Sequence, residues 1–170
     1  MQTIKVGSIA ITSNKMIVSD PCYDRGIWCA AEIKDFPNGN YDAFIDTGIA
    51  KDWGKRVFKM RVLKTDTSLG DCSFRVLDCV PVDCATLGFF DDIYHEQLHS
   101  DKKRIEDWYQ ANVVDAFGVR LEDASITDER CFMATTGIGD GCYTILGLYD
   151  ADDVLVGLEA QFLDDEDEED

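Results

Sequence analysis

Apolar and polar positions alternate with a period of two over most of this chain, the pattern of strands that cover one face. Thr3 to Ile11 and Lys15 to Ser19 are β-rich runs separated by a turn at Thr12-Ser-Asn14. Asp20-Pro21 stops the second run, because proline cannot donate to a sheet ladder. Gly26 to Ala30 fits a short strand or one helical turn. Pro37-Asn-Gly39 is a turn signal, after which Tyr41, Ala43 and Ile45 alternate. Between Lys55 and Lys64, Phe58, Met60 and Val62 share one face and Lys59 and Arg61 the other. Ser68 to Asp71 reads as a turn, and Phe74, Val76, Val80 and Val82 mark another strand, with Asp78 an acidic member of its apolar face. Cys142 to Tyr149 and Val154 to Phe162 form a hairpin about the turn Asp150 to Asp153. In its second arm Val154, Val156, Leu158, Ala160 and Phe162 are assigned to one side, with Glu159 and Gln161 opposite.

The period changes in the middle. Asp91 and Asp92 are suited to start a helix. Further on, Ile105, Trp108, Tyr109 and Val113 share a helical face. From Cys131 the strand pattern returns. The fold class that follows is α+β: a single domain over 1–163, mainly antiparallel β as a sandwich or partly open barrel, with a helical insertion around 90–115. No apolar run approaches the length of a membrane span, and the first residues lack the pattern of a secretory leader, so the expectation is a cytoplasmic protein.

Charge narrows the function classes. The formal net charge is −18, and the seven acidic residues of 164–170 leave −11 for the body. A run of like charges with nothing apolar to bury predicts a disordered acidic tail over 164–170. An acidic body disfavours direct contact with nucleic acid or anionic membranes and favours a basic protein partner, or solubility alone. The seven cysteines include no C-x-x-C pair. Without that spacing they read as reduced, small core residues.

Candidate chemistry sits at strand ends. Three glycines, Gly137, Gly139 and Gly141, bracket Asp140 in a loop rather than a helix or strand. Asp20, Asp83 and Asp140 each end a strand, and each has a cysteine nearby: Cys22, Cys84 and Cys142. These carboxylates predict either separate turn caps or a shared site for a divalent cation or acid–base work. The loops Asp20–Tyr23 and Gly139–Tyr143 are expected side by side, with Asp83 near both. Tyr23, Trp28, Phe89, Phe90 and Tyr143 are available as an aromatic wall or as core. The candidate ligand-binding set is Asp20, Cys22, Tyr23, Trp28, Asp83, Asp140, Gly141 and Tyr143. His95-Glu96-x-x-His99 matches the zinc-peptidase pattern of two ligands one turn apart with Glu96 as general base. It continues into a polar, charged stretch without the further histidine of some such enzymes, so a surface helix with two histidines is its other reading. No phosphate loop is predicted, since the glycine run lacks a lysine and carries Asp140 where an anion would bind.

Val18-Ser-Asp-Pro-Cys-Tyr23 with Trp28-Cys29, Val82-Asp83 leading to Gly88-Phe-Phe-Asp91 and Tyr94, Trp108-Tyr109, and Thr136-Gly-Ile-Gly-Asp-Gly-Cys-Tyr143 together resemble uncharacterised bacterial and phage proteins. Those proteins begin with D-P-C-Y and end with G-x-G-D-G-x-Y, and are similar to the domain of unknown function 4241 family. In that pattern the middle Asp precedes a small residue, Gly and Gln; here Asp83 precedes Cys84-Ala85-Thr86. The resemblance implies a bacterial or phage origin and no established activity. Two function classes follow: an acidic binding or inhibitor protein for a basic partner, or an enzyme, ligand binder or metal binder using Asp20, Asp83 and Asp140 or the histidine pair.

Overall fold

The computed structural model describes residues 1–24, 26–118 and 123–169. Its strands are β1 (Gln2–Ile11), β2 (Lys15–Ser19), β3 (Ala30–Lys34), β4 (Gly39–Ala50), β5 (Gly54–Lys64), β6 (Ser73–Val82), β7 (Thr86–Asp91), β8 (Ala124–Thr127), β9 (Cys131–Thr135), β10 (Gly141–Tyr149) and β11 (Leu155–Gln161). They pair antiparallel in two sheets, ordered β1-β4-β5-β11-β10-β6 and β3-β2-β7-β9-β8. Helices α1 (Asp92–His99), α2 (Lys102–Tyr109) and α3 (Asp115–Phe117) follow β7, with a π turn over Gln110–Val114 joining the last two. The α+β expectation holds, as a sandwich rather than a closed barrel, and the helical insertion runs two residues past 115.

The layers follow from alternation. Met16 and Val18, Phe89, and Phe132 and Ala134 of the second sheet meet Tyr41, Ala43, Met60, Val62, Ile145 and Leu158 of the first in one buried core. The alternate residues of the second sheet, Ile17, Phe90, Cys131 and Met133, face the other way and are covered by Tyr94, Leu98, Val113 and Phe117 from the helical segment. The inner strands of the second sheet, β2, β7 and β9, are thus buried on both faces. Asp91 caps α1, its side chain accepting from the Ile93 and Tyr94 amides, as the sequence predicts.

Two bulges change the face of residues near them. The register of β10 with β11 shifts between Leu148 and Tyr149. Val156 consequently joins Leu63 and Leu148 on the outer face, while Leu158 and Ala160 stay in the core. A shift between Ile145 and Leu146 against β6 leaves Val80 and Val82 inside and Val76 and Asp78 exposed. Also on the outer face of the first sheet, buried Arg61 pairs with Glu159 at 2.7 Å and Asp46 at 2.8 Å.

The tail departs from the expectation of disorder as far as Glu169; Asp170 lies outside the described residues. Asp165–Asp167 form a 3-10 turn, Glu168 bridges to Ala50, and the Glu169 amide donates to the Ile49 carbonyl. Lys59 pairs with Asp165 at 2.7 Å and Lys51 Nζ donates to the Glu166 carbonyl. Repulsion within the run is offset by two lysines and by an open edge of backbone groups on β4. Among the described residues, no helix is long and apolar enough to cross a membrane.

Candidate functional site

Asp20 follows directly on β2, fully buried, and its carboxylate ties two loops together. Oδ1 accepts from the Cys22 amide at 2.9 Å, a turn-capping bond within the D-P-C-Y loop. Oδ2 accepts from the Asp83 amide at 2.8 Å and the Cys84 amide at 2.9 Å, in the turn between β6 and β7. The same turn meets the glycine loop: the Ala85 amide donates to Asp140 Oδ1 at 3.2 Å, and the Thr136 amide donates to the Ala85 carbonyl. The two loops singled out in the sequence therefore converge on one turn, 83–85, gripped from two sides.

Among the described residues, the three carboxylates do not gather into one ligating cluster. Asp83 accepts the Tyr23 hydroxyl at 2.7 Å, and Asp140 is turned to Ala85. Backbone donors offset the repulsion that convergence of acids would otherwise cause. Among the described residues, the ligating atoms that gather within 4.8 Å of one another are those of Asp20, Cys22 and Cys84. Cys84 was not among the residues selected from the sequence as ligand-binding. Its thiol donates to Asp20 Oδ1 at 2.9 Å and also lies within reach of the Cys22 sulfur; the carboxylate is the stronger acceptor. The contact with Cys84, aided by the Tyr109 hydroxyl, lowers the Cys22 thiol against the opposing effect of burial. The Cys84 thiol is pushed up by its bond to Cys22, by burial and by the Asp20 charge.

Around this knot the other candidates divide. Tyr23 and Trp28 meet at 5.8 Å between ring centroids with their planes tilted by 59°, and Trp28 is 60% exposed. Hydrogen bonding to Asp83 pushes the Tyr23 phenol up to about 12. Phe89 and Phe90 are core residues on opposite faces of β7 and supply no wall. Neither histidine takes part in the cysteine–aspartate group. His95 is fully buried with Nε2 3.3 Å from Ser19 Oγ, His99 Nδ1 pairs with Asp24, and the two rings stack at 4.2 Å. The imidazoles stack face to face and meet Ser19 and Asp24, and among the described residues neither belongs to a cluster of three ligating side chains. The cysteines also differ from expectation: a disulfide joins Cys79 of β6 to Cys142 of β10, leaving Cys22, Cys29, Cys72, Cys84 and Cys131 free.

Gly141 and Tyr143 belong to a second place. A cavity of about 540 Å³ is lined by the β4–β5 turn (Lys51, Asp52, Trp53), by Ile138 and Gly141 to Thr144, and by Gln161 to Asp164 with Asp167 of the tail. Trp53 is half exposed at its mouth. Asp52 at φ 64° and Gly54 at φ 74° make the turn that projects Trp53, a left-handed stretch that aspartate and glycine tolerate. Tyr143 donates to the Gly139 carbonyl and packs edge-on against Phe162, which fixes the inner wall. Gly137, at φ 71°, lets the glycine loop press on β5: a Cβ there would lie 2.3 Å from the Val57 carbonyl oxygen.

Compared with known protein families, with characterised proteins and with solved structures, the chain matches none.

Proposed function

We propose that this protein is a non-catalytic acidic binding or inhibitor protein whose partner is a basic protein, and that a basic side chain of the partner enters the cavity beside Trp53. The observation that carries the reading is the composition of that cavity. An exposed indole stands with Asp52, Asp164 and Asp167, and the lysine among the lining residues, Lys51, donates to the Glu166 backbone carbonyl. A guanidinium or ammonium group would stack on the indole face, worth ~1–2 kcal/mol, while the carboxylates hold its charge. The body charge would speed the encounter at low salt. Five free thiols favour a reducing compartment such as the cytoplasm, where the exposed Cys79–Cys142 pair would be open to reduction.

Calorimetric titration with a short arginine- and lysine-rich peptide tests this. The expected result is saturable binding that weakens as salt is raised and is ~10-fold weaker in Trp53→Ala. Absence of saturable binding, or unchanged affinity in Trp53→Ala, would remove the reading.

A further inference from the structure

We infer that Cys22, Cys84 and Asp20 form a binding site for a thiophilic divalent metal ion of the zinc or cadmium type. The inference rests on donor chemistry and on how the donors are held, and is independent of the Trp53 cavity. Two sulfurs and one carboxylate oxygen lie within 4.8 Å of one another. In a tetrahedral zinc site with metal–ligand distances of about 2.0–2.3 Å, ligand atoms stand about 3.5–3.8 Å apart. With all three within 4.8 Å, the wider pairs need to close by roughly an ångström or less, and Cys84 Sγ and Asp20 Oδ1, 2.9 Å apart, to open by about half an ångström, to bind a common ion.

The donors come from two backbone segments that Asp20 itself locks together through the amides of Cys22, Asp83 and Cys84. These amide bonds fix the carboxylate, as outer-sphere donors do at metal sites. The Cys84 thiol proton is the one donor to Asp20 that an ion can replace: the proton leaves to solvent and the ion bridges the same sulfur and Oδ1, now 2.9 Å apart. Cys22 loses its own proton to solvent and closes the site. Cys22 is exposed and Asp20 fully buried, so the site has an entrance on the sulfur side and a fixed floor. Three protein ligands leave a fourth position for water. The donor set also explains the choice of ion. Two thiolates select soft or borderline ions over calcium and magnesium, which take all-oxygen sets.

Cadmium is the direct probe, because its thiolate bond absorbs in the ultraviolet. The full chain, reduced with a non-chelating phosphine, is titrated with cadmium and then competed with zinc. One equivalent should bind, zinc should displace it, and bound zinc should protect Cys22 from alkylation. Cys22→Ser and Cys84→Ser should each weaken binding at least ~100-fold, since loss of an outer-sphere partner alone costs ~10- to 100-fold. The double variant Cys79→Ser/Cys142→Ser should bind as the parent does, which separates this pair from the other. Circular dichroism of Cys22→Ser, an exposed position, checks that the fold survives. Substoichiometric binding, binding unchanged in Cys22→Ser, or a Cys22–Cys84 disulfide that forms as fast with zinc as without it would overturn the assignment.

Discussion

Two buried aspartates stand at opposite ends of the same pair of strands and do the same structural task with different partners. Asp91 closes β7 beside the start of β2, and Asp20 follows the end of β2 beside the start of β7. Each ties its strand end to a loop from elsewhere. Asp91 Oδ2 accepts from the amides and hydroxyls of Thr12 and Ser13, and Oδ1 from the Ile93 and Tyr94 amides. Asp20 accepts from three amides and one thiol. The first carboxylate is satisfied wholly by backbone and hydroxyl donors with no ionisable neighbour among them. The second keeps one exchangeable donor and has an exposed sulfur alongside. Burial and donor saturation are therefore common to both ends, and only the donor type separates a purely structural anchor from an anchor that can also bind.

The sharpest way to break this comparison is to disable each anchor in turn. Asp91→Asn should lower stability by about 3 kcal/mol or more, because the amide turns its own donors toward groups that need an acceptor. Urea unfolding measures it; a loss under about 1 kcal/mol would mean the six contacts are not what holds the Thr12–Ser13 turn. Asp20→Asn should cost less, about 2 kcal/mol, since fewer donors lose their acceptor. A larger cost at Asp20 than at Asp91 would reverse the ranking. Removing the exchangeable donor alone, in Cys84→Ala, should cost about 1 kcal/mol or less by the same measurement, because the three amides remain on Asp20. A cost as large as that of Asp20→Asn would show that the thiol, and not the amides, carries the anchor. The smallest effect is a titration. In Asp83→Asn the carboxylate that retains the Tyr23 proton is gone, so this phenol should fall from about 12 toward its ordinary value of about 10. Tyr41, pushed up to about 12 by burial, should not move. Phenolate absorbance against pH reads both, and a Tyr23 that stays high would place its shift outside the hydrogen bond.

Much of the fold was legible because one-sided strands write their geometry in a period of two. β1, β2, β4, β5, β6 and the β10–β11 hairpin were all readable in that way. β7 was not, because every residue of Thr86–Asp91 is buried and Phe89 and Phe90 serve different layers. A strand covered on both faces shows no alternation. β3 is five residues with two alanines, too short and weak a pattern to register. The face of Val156 was misassigned because a bulge depends on a partner strand that the local sequence does not name. At the site, the Asp20, Asp83 and Asp140 loops could be found from their turn grammar, and their meeting on 83–85 was anticipated. Cys84 and Trp53 were missed as site residues. Cys84 acquires meaning only when residues about 60 positions apart are brought together. Trp53 left one usable signal, an aromatic residue between Asp52 and Gly54 in a hairpin turn, where nothing is available to bury it.

The Arg61–Glu159 pair carries a consequence for how the chain reaches this state. β4–β5 and β10–β11 are local hairpins that can form early, whereas β5 and β11 join across 98 residues. That seam closes at the largest entropic cost and is the step most exposed to error. Glu159 lies directly opposite Arg61 in the ladder. A slip of one residue would turn every side chain of one hairpin to the wrong face and carry one of the two charges toward the core. A buried ion pair adds little net stability over a well-packed apolar substitute. Placed here it weighs against a misaligned closure, which would leave one of the two charges without its partner, and so helps to specify the register of the seam.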